Sequence, residues 1–295
     1  MSLGTRPGEN VWPKSLYKGA DMQVVDLKVI FAVAVFITGV FGALLPWALR
    51  SGRTGSRFMI WGDTFAGGVL GGAGLVHLLS SGASGFQELA PGMVYPIAFV
   101  LAGAGFLLIL LIEGVIAADP DPRQSPLHCG SRGASHEIGP GSEIAERHSG
   151  SFVLLLVLSV HSIILGLALG AQKSMTGALA VFIAIIAHKA MAGFALGVNY
   201  RRTGTTLKQT IPATAFFASM TPIGILTGTG VYALISPAGR LLFEAIFNSV
   251  GAGTFLYIAT LDIIRTEFEL PGDNWQKWLL AAGGFGIMSL LALWI

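Results

Sequence analysis

His161 and His188 are the side chains in this sequence best suited to chemistry inside an apolar setting. Each leads a decapeptide, His161-Ser-Ile-Ile-Leu-Gly-Leu-Ala-Leu-Gly170 and His188-Lys-Ala-Met-Ala-Gly-Phe-Ala-Leu-Gly197, and five of the ten positions are identical. Each decapeptide lies in an apolar run of about 20 residues, long enough to cross a bilayer. Each His falls about ten residues into its run, counted from Ser151 or Ala178. At about 1.5 Å per helical residue that depth is about 15 Å, the middle of the hydrocarbon. A short connector, 171–177, makes the two helices antiparallel neighbours, so the imidazoles meet at the midplane. Neutral imidazole is a good ligand for Zn²⁺, Fe²⁺, Ni²⁺ or Cu²⁺ and a weak one for Mg²⁺ or Ca²⁺. Because ligation needs the neutral ring, acid should weaken it. A membrane His also serves as an interhelical hydrogen-bonding residue, and the pair alone leaves both roles open. Gly166/Gly170 and Gly193/Gly197 are expected to let backbones approach closely and bring both rings near one axis.

The elements that position these residues are membrane helices. Mean hydropathy is +0.70, with 53% hydrophobic and 12% charged residues, which excludes a soluble domain and gives no expectation of a nucleic-acid partner. Eight apolar spans are predicted, at about 26–49, 58–80, 93–117, 151–171, 177–199, 208–234, 240–264 and 276–295. The fold class is therefore an all-α polytopic membrane protein in contact with the lipid bilayer. Arg50, Arg53, Arg57, Arg123, Arg132, Arg147, Arg201, Arg202, Lys208, Arg265 and Lys277 fall on one side. The opposite loops hold only Lys173 and Arg240, with Arg6, Lys14, Lys18 and Lys28 around the N-tail. The basic side reads as cytoplasmic, which leaves both termini extracytoplasmic. The N-tail, 1–25, is polar and has no apolar core of signal-peptide type. Residues 26–117 carry spans one to three and residues 151–295 spans four to eight. Between them, 118–150 reads as a mobile cytoplasmic loop rich in Pro, Gly, Ser and Arg, with His128, His136 and His148 as a solvated linker or weak metal samplers. The lone Cys129 excludes an intrachain disulfide, and His136-Glu137 lacks the second His of a protease helix.

Other polar residues fall inside or at the ends of the spans. His77 lies near the outer end of the second span and Asp63 near its inner end. Glu113 ends the third span, and Asn248 and Asp262 lie in the seventh. An intramembrane acid is costly and reads as functional, though Asp262 also lies near the inner interface. Pro222 frees the carbonyl of Ala218 for a cation or water, or simply kinks the sixth span. Lys189 needs a partner or a water-filled cavity. It is either a fixed ammonium that keeps out a second cation or half of an ion pair with Glu113 or Asp262.

These motifs resemble the ZIP family of divalent-metal transporters. The likeness rests on His161-Ser162 with Gly166-Leu-Ala-Leu-Gly170, on His188-Lys189 with Phe194-Ala-Leu-Gly197, on Ser219-Met-Thr-Pro-Ile-Gly224, on Ala252-Gly-Thr-Phe-Leu-Tyr257, on His77-Leu-Leu79 and on Tyr95-Pro96 with Glu113. It covers all eight spans and is strongest toward the animal-type subfamily II. The resemblance implies a ZIP-type bundle with a metal site between helices 4 and 5, and uptake of Zn²⁺, or of Fe²⁺ or Mn²⁺, into the cytoplasm across the plasma membrane. It implies His161, His188, Ser162 and His77 as metal ligands and Lys189 as a substitute for a second-site ligand. Asp262, Glu113, Asp63 and Asn248 would line an exit path or gate. It implies two helix bundles moving against each other, no enzymatic activity and no cofactor beyond the transported ion. Small-residue faces permit a homodimer. Leu165, Ala192 and Asn248 stand where many members carry Glu, so the central site has imidazoles without a carboxylate. That pattern also fits a non-transporting relative acting as a membrane binding or regulatory protein.

Overall fold

The computed structural model describes residues 14–49, 53–116, 141–172 and 174–293. His128, Cys129 and His136 lie outside them, as does the side chain of His148. Among the described residues the chain is helical and without strands. Eight helices follow one another. Helix α1 is Lys14–Ala48. Helix α2 is Arg53–Gly72, continued through π-helical Ala73–Leu78 into Leu79–Leu89. Helix α3 is Ile97–Leu111 with a π-helical end, Ile112–Ile116. Helix α4 is Gly141–Ala171, α5 Met175–Arg202 and α6 Leu207–Leu234. Helix α7 is Pro237–Tyr257, π-helical Ile258–Ile264 and Arg265–Glu269. Helix α8 is Asn274–Leu291. The first seven are long and apolar enough to cross a membrane. The eighth, of 18 residues, packs along α2 in the same bundle.

Local chemistry sets the helix starts. Ser174 and Ser236 accept from the backbone N–H groups of Gly177 and Gly239, and Asp273 accepts from that of Trp275. Thr206 and Gln209 form a reciprocal capping box at the start of α6. At the far end of α4, the buried Lys28 ammonium donates to the Gly170 carbonyl at 2.6 Å, a cation on the negative end of a helix dipole. Helix α4 starts at Gly141 and not at Ser151, because the last ten residues expected in the loop continue the helix as a polar extension.

Small residues decide which helices touch. The two Gly-x-x-x-Gly motifs do not pack on each other, which corrects the sequence expectation. A methyl at Gly166 would lie 2.3 Å from the Thr221 carbonyl oxygen and 2.8 Å from Gly224 Cα, and one at Gly170 would meet Ile225 O and Gly228. Helix α4 thus runs parallel to α6, backbone against backbone. Gly193 and Gly197 meet Gly39 and Ala43 in the same way, so α5 runs parallel to α1. The result is two groups: α1, α4, α5 and α6 pack among themselves, as do α2, α3, α7 and α8. The seam between them holds an apolar cluster in which Leu158, Ala192, Ala195 and Leu196 of the first group meet Val69, Leu70, Phe255 and Ile258 of the second.

The α4–α6 contact is testable. Gly166→Ala puts its methyl against backbone atoms that cannot rotate away, and we expect a loss of about 1–3 kcal/mol. Thermal unfolding of the purified protein would register it. Gly103→Ala, where nothing lies within 4 Å, should leave the transition unchanged.

Candidate metal site

Helices α4 and α5 bring His161 and His188 together at the seam, with ring centroids 5.9 Å apart. Two imidazoles sharing a tetrahedral Zn²⁺ at about 2.0–2.1 Å have centroids about 5 Å apart, so the pair stands close to ligating geometry. Both side chains are buried, and neither His161 Nε2 nor His188 Nε2 has a hydrogen-bond partner among the described residues. An orphaned buried acceptor or donor costs about 1–3 kcal/mol, and here two stand side by side. Phe255 of α7 covers His161, centroid to centroid 4.5 Å.

His77 lies 6.5 Å from His188, contributed by α2 of the opposite group. It is not near the outer end of its helix, as the sequence suggested, because α2 continues past it to Leu89. It sits instead in the π-helical turn, level with the pair. His188 thus has His161 at 5.9 Å and His77 at 6.5 Å, ring centroid to ring centroid. The three rings are not gathered into one cluster. Among the described residues no three His, Cys, Asp or Glu side chains stand close enough to hold a metal ion together.

Ser162 points elsewhere. Its hydroxyl donates to Leu158 O at 2.6 Å and accepts from Lys189 Nζ at 2.8 Å. Lys189 is 2% exposed. Beyond Ser162 its ammonium reaches Thr221 Oγ1 at 3.1 Å and the Phe217 carbonyl at 3.4 Å, and lies 3.8 Å from the Phe217 ring centroid. None of these partners is Glu113 or Asp262, so the ion-pair alternative gives way to an ammonium caged by neutral oxygens and a π face. The carbonyl that Lys189 uses is that of Phe217, one residue before the Ala218 carbonyl that Pro222 frees.

The acids form two further groups. Glu113 of α3 and Asp262 of α7 are half-buried neighbours, with Tyr257 beside them. Both acids, like His77, occur in π-helical turns, a backbone form frequent at functional sites. Asp63 is buried and pairs with Arg202 at 3.3 Å, and Arg202 also pairs with Glu267, which is completely covered. Sequence patterns single out no role for Glu267, and Phe255 and Tyr257 stand out only as part of the Ala252–Tyr257 motif, without a role at the site. The only signal for Glu267 was a carboxylate at the end of a span, which reads as an interface residue. Asn248 is half-buried on α7, next to Ser249, which abuts Gly82 of α2. Leu165 packs in an apolar cluster with Phe31 and Val35, and Ala192 in the seam, so apolar contacts fill both positions.

Residues 25–292 match the family model described as ZIP zinc transporter. Human zinc transporter ZIP2 is 31% identical over 68% of this chain and 68% of its own length. Mouse zinc transporter ZIP2 is 27% identical over 85% of this chain and 91% of its own. Zinc transporter 11 of Arabidopsis thaliana is 28% identical across this whole chain and 94% of its own. With nearly the full length matched and the helices in the expected order, the chain belongs to the ZIP zinc transporter family.

Proposed function

We propose that this protein carries a divalent metal ion, Zn²⁺ ahead of Fe²⁺ or Mn²⁺, across a membrane toward the side bearing the 203–206 loop. The observation that carries the reading is the pair of buried, unpartnered imidazole nitrogens, His161 Nε2 and His188 Nε2, at the seam between two helix groups. The ion takes both rings as ligands, with His77 approaching from α2 as a third when the groups shift. Water completes the shell, because Ser162 is engaged by Lys189. A midplane site between two groups is the arrangement that alternating access requires. The ion then leaves past Glu113, Asp262 and Asp63, whose oxygens can accept it by exchange. Asn248 lies on the opposite stretch of α7, on the approach to the pair. The basic loops assign the 203–206 side to the cytoplasm and both termini to the outside, and the plasma membrane is the setting we infer. This is transport and not catalysis, as in the family to which the chain belongs.

The test is uptake of radioactive zinc into cells or proteoliposomes containing the wild-type chain. Uptake should saturate, fall when Cd²⁺ competes, and be indifferent to equal Mg²⁺ or Ca²⁺, because two imidazoles discriminate against hard cations. Zinc binding without uptake would move the assignment to a non-transporting membrane binding protein, the reading that the apolar Leu165 and Ala192 favour.

A further inference from the structure

The last turn of α5 carries two arginines that face opposite groups. Arg201 donates to the Pro46 carbonyl of α1, inside its own group. Arg202 crosses the seam, to Asp63 of α2 at 3.3 Å and to Glu267 of α7. Between His188 and Arg202, α5 presents Ala192, Ala195 and Leu196 to the apolar cluster of the seam, where they meet α2 and α7. An ion leaving the imidazoles toward the 203–206 side has to part α5 from α2 and α7 along this layer. Arg202 stands at its rim.

We propose that Arg202 is a charged latch, a positioning residue that holds the 203–206 ends of α2, α5 and α7 together while the route from the imidazoles is shut on that side. The inference rests on the transport reading. The latch releases Asp63 and Glu267 each time the ion passes. Its asymmetry suits repeated making and breaking. The Arg202 side chain is 29% exposed and can be rehydrated from its own side, whereas those of Asp63 and Glu267 are 6% and 0% exposed. The closed state therefore covers two carboxylates that, among the described residues, pair across the seam with this guanidinium alone, and losing it turns the closed state against itself. Arg201 has no such duty. It binds a carbonyl of the group with which α5 moves.

The experiment reads closure directly and does not need zinc. In a Cys129→Ser background, Ala195→Cys, buried in the seam, is the reporter in proteoliposomes. A membrane-impermeant methanethiosulfonate is admitted from the 203–206 side, and exposed Lys208→Cys calibrates its access. Arg202→Met should speed labelling of the reporter by about ten-fold or more, a shift of the open fraction that one lost ion link of this kind can produce. Arg202→Lys should return the rate most of the way to wild type, which a merely space-filling role for the arginine would not. Asp63→Asn/Glu267→Gln should also speed labelling and serves in place of Arg202→Met if that variant does not give a monodisperse protein. Unchanged labelling in the folded variants would overturn the latch. Zinc uptake measured on the same vesicles separates the two readings: expected labelling without any uptake refutes transport and leaves the latch standing.

Discussion

Replacing both His161 and His188 by alanine should reduce zinc uptake to the level of cells lacking the protein, at matched surface amounts. Among the described residues these two rings are the metal-capable groups that are both buried and unpartnered at the seam. With them gone, His77 stands alone there. Partners that merely orient a ligand change metal affinity by about 10–100-fold when lost, so losing two ligands should exceed a hundred-fold. The fold should survive. Each substitution removes an orphaned polar atom together with its apolar contacts, chiefly that of His161 with Phe255, and the two effects oppose each other. The double variant should therefore elute and unfold much as wild type does, which separates a lost site from a lost structure. His161→Ala should retain weakened uptake, since His188 remains beside His77. Saturable uptake persisting in the double variant would remove the imidazole pair from the transport path and with it the site proposed above.

The parts of this molecule legible in its sequence are those set by one chain segment at a time. Span lengths and the depth of His161 and His188 follow from hydrophobic runs and helical rise, and both lead to the observed eight-helix order. Partner choice is another matter. Gly166 and Gly193 signal that some backbone comes close, but a small residue carries no mark of which helix it meets, and α6 and α1 took the places expected of α5 and α4. The cage around Lys189 was hidden for a similar reason. Ser162, Thr221 and a backbone carbonyl do not look like counter-ions in a sequence, whereas Glu113 and Asp262 do. Arg202, Asp63 and Glu267 each fall near the end of a span, where a charge ordinarily meets water, and only the crossing of three helices joins them. The π-helical turns at His77, Glu113 and Asp262 leave no periodicity to read, because one extra residue per turn shifts the register only locally.

Lys189→Glu should be among the most damaging single changes in the chain, and a divalent ion should offset much of it. The ammonium is a tethered cation in a ready-made oxygen cage: Ser162 Oγ, Thr221 Oγ1 and the Phe217 carbonyl converge on it, with the Phe217 ring at its back. A carboxylate there faces the carbonyl and the negative ring face without a counter-charge, and an uncompensated buried charge costs about 3–5 kcal/mol. A divalent ion would find one carboxylate and the same oxygens, and at a hundred times its Kd it would return about 2.7 kcal/mol. Thermal unfolding of the purified variant should show a large loss without metal and a rise with added Zn²⁺ or Cd²⁺ well beyond that of wild type. Lys189→Met is the control. It keeps the volume and removes the desolvated ammonium along with its hydrogen bonds, terms that largely cancel, so its transition should stay near that of wild type and respond to metal no more than wild type does. The consequence for transport is direct. Ser162, which binds Lys189, follows His161 in the chain, and Lys189 follows His188, so we expect the ammonium beside the imidazole pair to hold occupancy to one divalent ion at a time. If Lys189→Glu is as stable as wild type without metal, or gains nothing from it, the ammonium does not stand in for a second ion and single occupancy must have another cause.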